Sequence, residues 1–211
     1  LHDRSEDHLK PAVLLFDIGG VLVDFVGPEE LCTMLDGRFT LDQIRQMWPQ
    51  SPALRKFELG KLSEQHFTDQ FTAEWDLDMS ADVFVREFST WVRAPLAGAL
   101  SLLDALRGVA ILACLTNISA TYWERIKHDM GFGSRFDRCY ASHKTGLLKP
   151  SAEAFRQVIF DLSCEPDEIL FFDDTWNNVA AARALGIRAF QIHGVNELKA
   201  CLERDLNAYP S

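Results

Sequence analysis

Ala12-Val-Leu-Leu-Phe-Asp17-Ile-Gly-Gly20-Val-Leu-Val-Asp24 is the stretch whose reading decides the fold. Its first half, residues 12–16, is apolar without alternation, which reads as a strand buried on both faces. Asp-Ile-Gly-Gly then marks a tight loop. The same grammar returns at residues 109–115, ended by Thr116-Asn117, and at 169–172, ended by Asp173-Asp174. It is weaker at 139–141 and 189–192. Between these runs lie helical patterns. Leu100, Leu103 and Leu106 share a face in 96–107, Ser119 is placed to cap 119–130, 151–161 follows Pro150, and Ala-rich 178–185 stops at Gly186. Strands alternating with helices of this length predict an α/β fold, a Rossmann-like three-layer core around a parallel sheet.

Residues 27–94 break that rhythm. Their apolar residues recur at helical spacing, Phe67, Phe71 and Trp75 in one run and Phe84, Phe88 and Trp91 in another. Gly27-Pro28 and Ala94-Pro95 bracket the segment. The expected organisation is a core of residues 1–26 and 95–211 carrying an inserted all-helical cap of residues 27–94, its two ends forming a hinge. The aromatic stripes read as the cap's own core.

Composition narrows the function classes. The chain has 211 residues, long for one domain, and 47% are hydrophobic and 25% charged, as in ordinary globular proteins. Its 21 Lys and Arg against 31 Asp and Glu give a net charge of −10. An acidic chain argues against nucleic acid or an anionic membrane as partner, since both reward a basic face. It leaves room for a small anionic substrate met by a local positive pocket. Cys32, Cys114, Cys139, Cys164 and Cys201 are odd in number and dispersed, which reads as reduced thiols in a cytoplasmic protein. No apolar run approaches a membrane span. Leu1 in place of Met points to a start further upstream or to processing, and residues 1–10 read as a loose tail.

In an open parallel sheet, ligands bind beyond the carboxyl ends of the strands. Asp17, Thr116-Asn117 and Asp173-Asp174 all stand at such ends, and Lys149-Pro150 opens the helix after the weak strand at 139. One such Asp is ordinary turn chemistry. Carboxylates, an ammonium and a hydroxyl converging at one edge would hold a divalent cation and an anion together, and carboxylate oxygens suit Mg2+.

Four motifs in order, Phe-Asp-Ile-Gly-Gly-Val-Leu-Val-Asp at 16–24, Leu-Thr-Asn at 115–117, Gly-Leu-Leu-Lys-Pro at 146–150 and Phe-Phe-Asp-Asp-Thr-Trp-Asn-Asn at 171–178, make the chain resemble the haloacid dehalogenase superfamily. The resemblance is to its phosphatase branch with a helical cap after the first strand, and Phe57-Glu-Leu-Gly-Lys-Leu-Ser63 is similar to that branch's cap pattern. It implies Mg2+-dependent hydrolysis of a small phosphorylated metabolite, a sugar phosphate among the candidates. Asp17 would be the nucleophile that becomes an aspartyl-phosphate. Thr116, with the Asn117 backbone N–H, would cradle the phosphoryl oxygens, and Lys149 would neutralise charge on both Asp17 and the phosphoryl group. Asp17, the backbone carbonyl of Gly19, and Asp174 would hold the metal; Asp173 is either a further ligand or an outer group.

Two departures from the family pattern matter. The resemblance implies an acid two residues after the nucleophile, and that position is Gly19. Losing general acid–base help, worth roughly 10²–10⁴-fold, predicts a preference for leaving groups that need little protonation, such as sugar-1-phosphates, aryl phosphates or acyl phosphates. Asp24 and His143 are candidates for a surrogate acid, each weighed against a structural role. Asn178 stands where many relatives have Asp and is set to hold a metal-bound water or Lys149. Trp176 either walls the pocket or packs in the core. Arg45, Trp48 and Arg55 are the cap residues nominated to meet substrate. Competing readings are a metal-free dehalogenase, which Asp173-Asp174 opposes, a phosphomutase, which Gly19 opposes, and a degenerate domain that only binds.

Overall fold

The computed structural model describes residues 10–206; most of the expected N-terminal tail, residues 1–9, lies outside them. Five parallel strands form the central sheet in the order β5-β4-β1-β6-β7. They are β1 (Val13–Phe16), β4 (Ile111–Thr116), β5 (Arg138–Ala141), β6 (Ile169–Asp173) and β7 (Arg188–Gln191). The strand interiors carry no polar alternation because both faces are covered. Leu14, Phe16, Leu112, Cys114, Leu170 and Phe172 join one apolar cluster. Val13, Leu15, Ala113, Leu115, Ile169 and Phe171 join another on the opposite face. Each strand thus feeds two cores with alternate residues.

The flanking helices are α6 (Ala99–Leu106), α7 (Ala120–Glu124), α8 (Ser142–Thr145), α9 (Ala152–Leu162), α10 (Trp176–Ala184) and α11 (Gly194–Leu206). Ser119 caps α7 as its sequence predicts, its hydroxyl accepting from the Tyr122 N–H. The single helix expected over 119–130 does not persist: after Glu124 it widens into a π-turn over Arg125–Asp129, where the Met130 N–H reaches back to the Arg125 carbonyl.

The inserted segment contains α1 (Gly27–Met34), α2 (Leu41–Met47), α3 (Pro52–Glu58), α4 (Glu64–Glu74) and α5 (Ala81–Ser89). Phe67, Phe71, Phe84 and Trp91 are fully buried among them. Ser51, Ser63 and Ser80 accept N–H bonds at the starts of α3, α4 and α5, which explains where each helix begins. One feature differs from the expected hinge. The two connections pair as an antiparallel ribbon, β2 (Val23–Phe25) with β3 (Val92–Pro95), reinforced by the Val26 N–H to the Trp91 carbonyl. Gly27 serves packing there, since a Cβ would lie 2.5 Å from the Phe25 ring and 2.9 Å from Trp48. The helical core runs through this stem into the sheet's own core as one cluster.

Candidate active site

The sheet order makes β1 the point where connections diverge, to β4 on one side and β6 on the other. Phe16 is level with Cys114 and with Phe172, so the residues that follow emerge at one edge. This is the crevice where doubly wound sheets bind ligands. The Asp17 N–H donates to the Phe172 carbonyl (2.8 Å), which sets the nucleophile candidate beside the end of β6.

Lys149 is the hub of the cluster. Its ammonium lies 2.8 Å from Asp17 Oδ1 and 2.5 Å from Asp173 Oδ2 and is almost fully buried. Asn117 brings it there: the Asn117 side chain donates to the Lys149 carbonyl (3.0 Å) and accepts from the Lys149 N–H (2.9 Å). The loop after β4 and the loop before α9 are therefore clasped by one side chain. The Lys149–Pro150 peptide is cis.

Asp173, wholly buried, spends its oxygens on this scaffold. It accepts from Lys149, from the Thr175 N–H (2.8 Å), and from Asn178 Nδ2 at 3.0 Å to each oxygen. Asn178 thus steadies Asp173 and does not bond Lys149, and its amide suits a carboxylate that a second acid would repel. Asp174 leans the other way, toward the loop after β1. A Cβ at Gly20, whose φ is +71°, would sit 2.2 Å from Asp174 Oδ2, so only glycine lets that loop close against the carboxylate.

The electrostatics follow from this crowding. Burial pushes Asp17 up to about 7; Lys149 opposes the rise, while Asp173 and Asp174 add to it. Burial, then Asp173, likewise raises Asp174 above the usual carboxylate range. Burial alone would depress Lys149, but Asp17 and Asp173 outweigh it and hold the ammonium above the ordinary lysine value. Three carboxylates face one cation. Asp17, Asp173 and Asp174 offer ligand atoms within 4.8 Å of one another, and hard oxygens so placed fit Mg2+. Such a site can carry out in-line displacement at phosphorus by a carboxylate.

Thr116 ends β4, buried, at the same edge, and Gly19 lies in the loop after β1. Other nominated residues fall elsewhere. Arg45 pairs with Glu29 on the surface (2.6 Å). Trp48 packs against Phe25, Phe71 and Trp91 inside the helical insert. Arg55 donates to the Pro49 carbonyl. Trp176 is 53% exposed, against Arg183, and so is no core residue. Asp24 faces Arg93 at 3.9 Å. His143 Nδ1 lies 3.1 Å from the Ile118 carbonyl, and burial holds it below its ordinary value.

Comparison with known proteins places this geometry. A model of haloacid dehalogenase-like hydrolases matches residues 11–186. The chain belongs to that family. It is 27% identical over 197 residues to a sesquiterpene phosphatase of Aspergillus oryzae, covering 90% of this chain and 92% of that one. It is 26% identical over 194 residues to a D-ribitol-5-phosphate phosphatase of Bacteroides thetaiotaomicron, covering 84% and 90%. Among solved structures, a haloacid dehalogenase family enzyme of B. thetaiotaomicron in complex with magnesium and inorganic phosphate shares the fold (TM-score 0.68, 22% identity, covering 86% of this chain and 93% of that one). Membership in that family agrees with the parallel five-stranded sheet flanked by helices and with the helical segment inserted after β1.

One group at the edge has no role in the sequence reading. Glu58 ends α3, and its carboxyl feels both Lys149 and Asp17. The stretch from Phe57 to Ser63 marks its position in the insert, but nothing local tells which way its side chain faces.

Proposed function

We propose that this hydrolase is a Mg2+-dependent phosphatase acting on the monoester of a small phosphorylated metabolite, a sugar phosphate among the candidates. The observation that carries the reading is the Lys149 bridge between Asp17 and Asp173, with Asp174 completing a carboxylate cluster within 4.8 Å. Two phosphatases among the relatives support it.

Asp17 attacks phosphorus in line, forming an aspartyl-phosphate and releasing the alcohol, and water then hydrolyses the acyl phosphate. Lys149 touches the nucleophile and stands ready for the phosphoryl oxygens. Asp173, itself held by Asn178 and Thr175, fixes the ammonium's direction and acts as its positioning residue. The Thr116 hydroxyl and the Asn117 N–H receive the phosphoryl oxygens at the end of β4. Asp17, Asp174 and the Gly19 carbonyl are the groups that would hold the metal. Mg2+, when bound, neutralises the phosphoryl charge and offsets its repulsion from the carboxylates.

In this reading residues 27–94 form a cap over a core of residues 1–26 and 95–211, and the cap selects the substrate. A cytoplasmic location fits the unpaired thiols; no described helix is long and apolar enough to cross a membrane. Asp174 against the Gly20 loop favours a metal-using phosphatase over a metal-free dehalogenase, since displacement at carbon has no use for that carboxylate. The test is a panel of phosphorylated metabolites and p-nitrophenyl phosphate with Mg2+. Turnover that EDTA and Asp17→Asn both abolish supports the reading; turnover that survives either refutes it, and none with any ester favours a binding domain.

A further inference from the structure

Gly19 leaves the site without an acid beside the nucleophile, and the two local surrogates are committed elsewhere, Asp24 toward Arg93 and His143 toward the Ile118 carbonyl. A third acid arrives from the insert. The C-terminal end of α3 is pinned onto the sheet edge: the Ser142 hydroxyl donates to the Glu58 carbonyl (2.6 Å) and accepts from the Ile118 N–H (2.8 Å), two residues beyond Thr116. Two residues past Glu58, Gly60 approaches His143 so closely that a Cβ would lie 3.0 Å from its carbonyl oxygen. The backbone of Glu58 is thus tied to the loops on either side of the Thr116 and Lys149 positions. Glu58 is half-buried, and its carboxyl makes no hydrogen bond or ion pair with any described residue, which leaves it free to meet a ligand.

We infer that Glu58 is the general acid–base of this enzyme, standing in from the insert for the acid absent at Gly19. The inference rests on the phosphatase reading above. As Asp17 bonds to phosphorus and the ester P–O bond breaks, the Glu58 carboxyl gives its proton to the departing alkoxide, which leaves as the alcohol. When water attacks the aspartyl-phosphate, the Glu58 carboxylate takes the water's proton and is restored. Asp17 is regenerated and inorganic phosphate leaves. Protonation at rest is consistent with the surroundings: burial pushes Glu58 up to about 8, against Lys149 and Arg55 and with Asp17 adding to the rise. Alkyl phosphates then remain good substrates in spite of Gly19, contrary to the leaving-group preference that position predicts alone.

The experiment compares kcat/KM, which reports release of the leaving group, for a simple alkyl phosphate and for p-nitrophenyl phosphate with Mg2+. Glu58→Gln should lose ~10²–10⁴-fold on the alkyl ester and stay within about threefold on the nitrophenyl ester, whose leaving group needs no proton. Gly19→Asp added to Glu58→Gln should restore at least about tenfold on the alkyl ester alone; a Cβ at Gly19 meets only Phe25, at an ordinary 3.6 Å. Equal losses on both esters would mark Glu58 as a binding or packing residue and overturn the inference, as would no loss on either. Should the variant fail to fold, the wild type still decides: a shallow dependence of kcat/KM on leaving-group pKa supports Glu58, and a steep one overturns it. Wild-type turnover that persists in Asp17→Asn, or none with either ester, would instead bring down the phosphatase reading and this inference with it.

Discussion

Lys149→Met is the perturbation with the largest expected effect on the folded state. The wild-type ammonium lies 2.8 Å from Asp17 and 2.5 Å from Asp173, buried with both. At an effective dielectric of about 20 those distances correspond to about 6 and 7 kcal/mol of attraction. Desolvating three charged groups takes back several kcal/mol for each ion, so the pair is worth far less than that sum. Removing one partner from a buried ion pair costs ~3–5 kcal/mol, because the remaining carboxylates stay buried without their cation. At ~2–4 °C per kcal/mol for a chain of this size, the melting temperature should fall by ~6–20 °C. The assay is thermal unfolding followed by circular dichroism in EDTA at neutral pH, repeated with Mg2+. Mg2+ at about 100-fold its Kd stabilises by about 2.7 kcal/mol, and it should bind the variant more tightly, since the repelling ammonium is gone. Mg2+ should therefore raise the variant's melting temperature more than the wild type's. A loss under about 2 °C in EDTA, or equal Mg2+ responses in the two proteins, would refute the reasoning that Lys149 compensates the three carboxylates.

Other outcomes follow from single contacts. Gly20→Ala sets a Cβ 2.2 Å from Asp174 Oδ2 at a φ of +71°, so it should destabilise by ~1–3 kcal/mol and weaken Mg2+ binding in calorimetry at least about tenfold. Asn178→Leu removes two hydrogen bonds from buried Asp173 and should cost ~1–3 kcal/mol, with kcat falling more than KM rises as Lys149 loses its brace. Burial raises Glu58 from 4.5 to about 8, so between those values the folded state holds a proton that the unfolded chain has lost, and stability declines as pH rises. In metal-free melts Glu58→Gln should match wild type near about pH 4 and exceed it by ~1–2 kcal/mol near about pH 9, discounted for partial exposure; a gap that widens toward acid would contradict the assignment of the raised carboxyl.

Much of the fold was legible because it rests on local pattern. The apolar runs before Asp17, Thr116 and Asp173 mark β1, β4 and β6, since a strand covered on both faces needs no polar alternation. The helical spacing of Phe67, Phe71, Phe84 and Phe88 marks the insert for the same kind of reason. The stem was not legible, because Val23–Phe25 and Val92–Pro95 are too short to signal strands without each other. Nor was the role of Asn178: its partner Asp173 lies five residues back at the end of β6, and that carboxylate's other partner, Lys149, comes from 24 residues before Asp173.

The sequence by itself determined which residues stand at strand ends, and hence that Asp17, Thr116, Asp173 and Asp174 share one edge of a parallel sheet. That follows from side-chain period and strand direction, which are properties of the local chain. Only the tertiary structure decided what those residues do to one another. The Asn117 clasp that delivers Lys149, the saturation of Asp173, and the descent of Glu58 onto the edge all join segments 24 to 84 residues apart. Contacts at that range depend on how two cores and an insert pack together, and no local period carries that information.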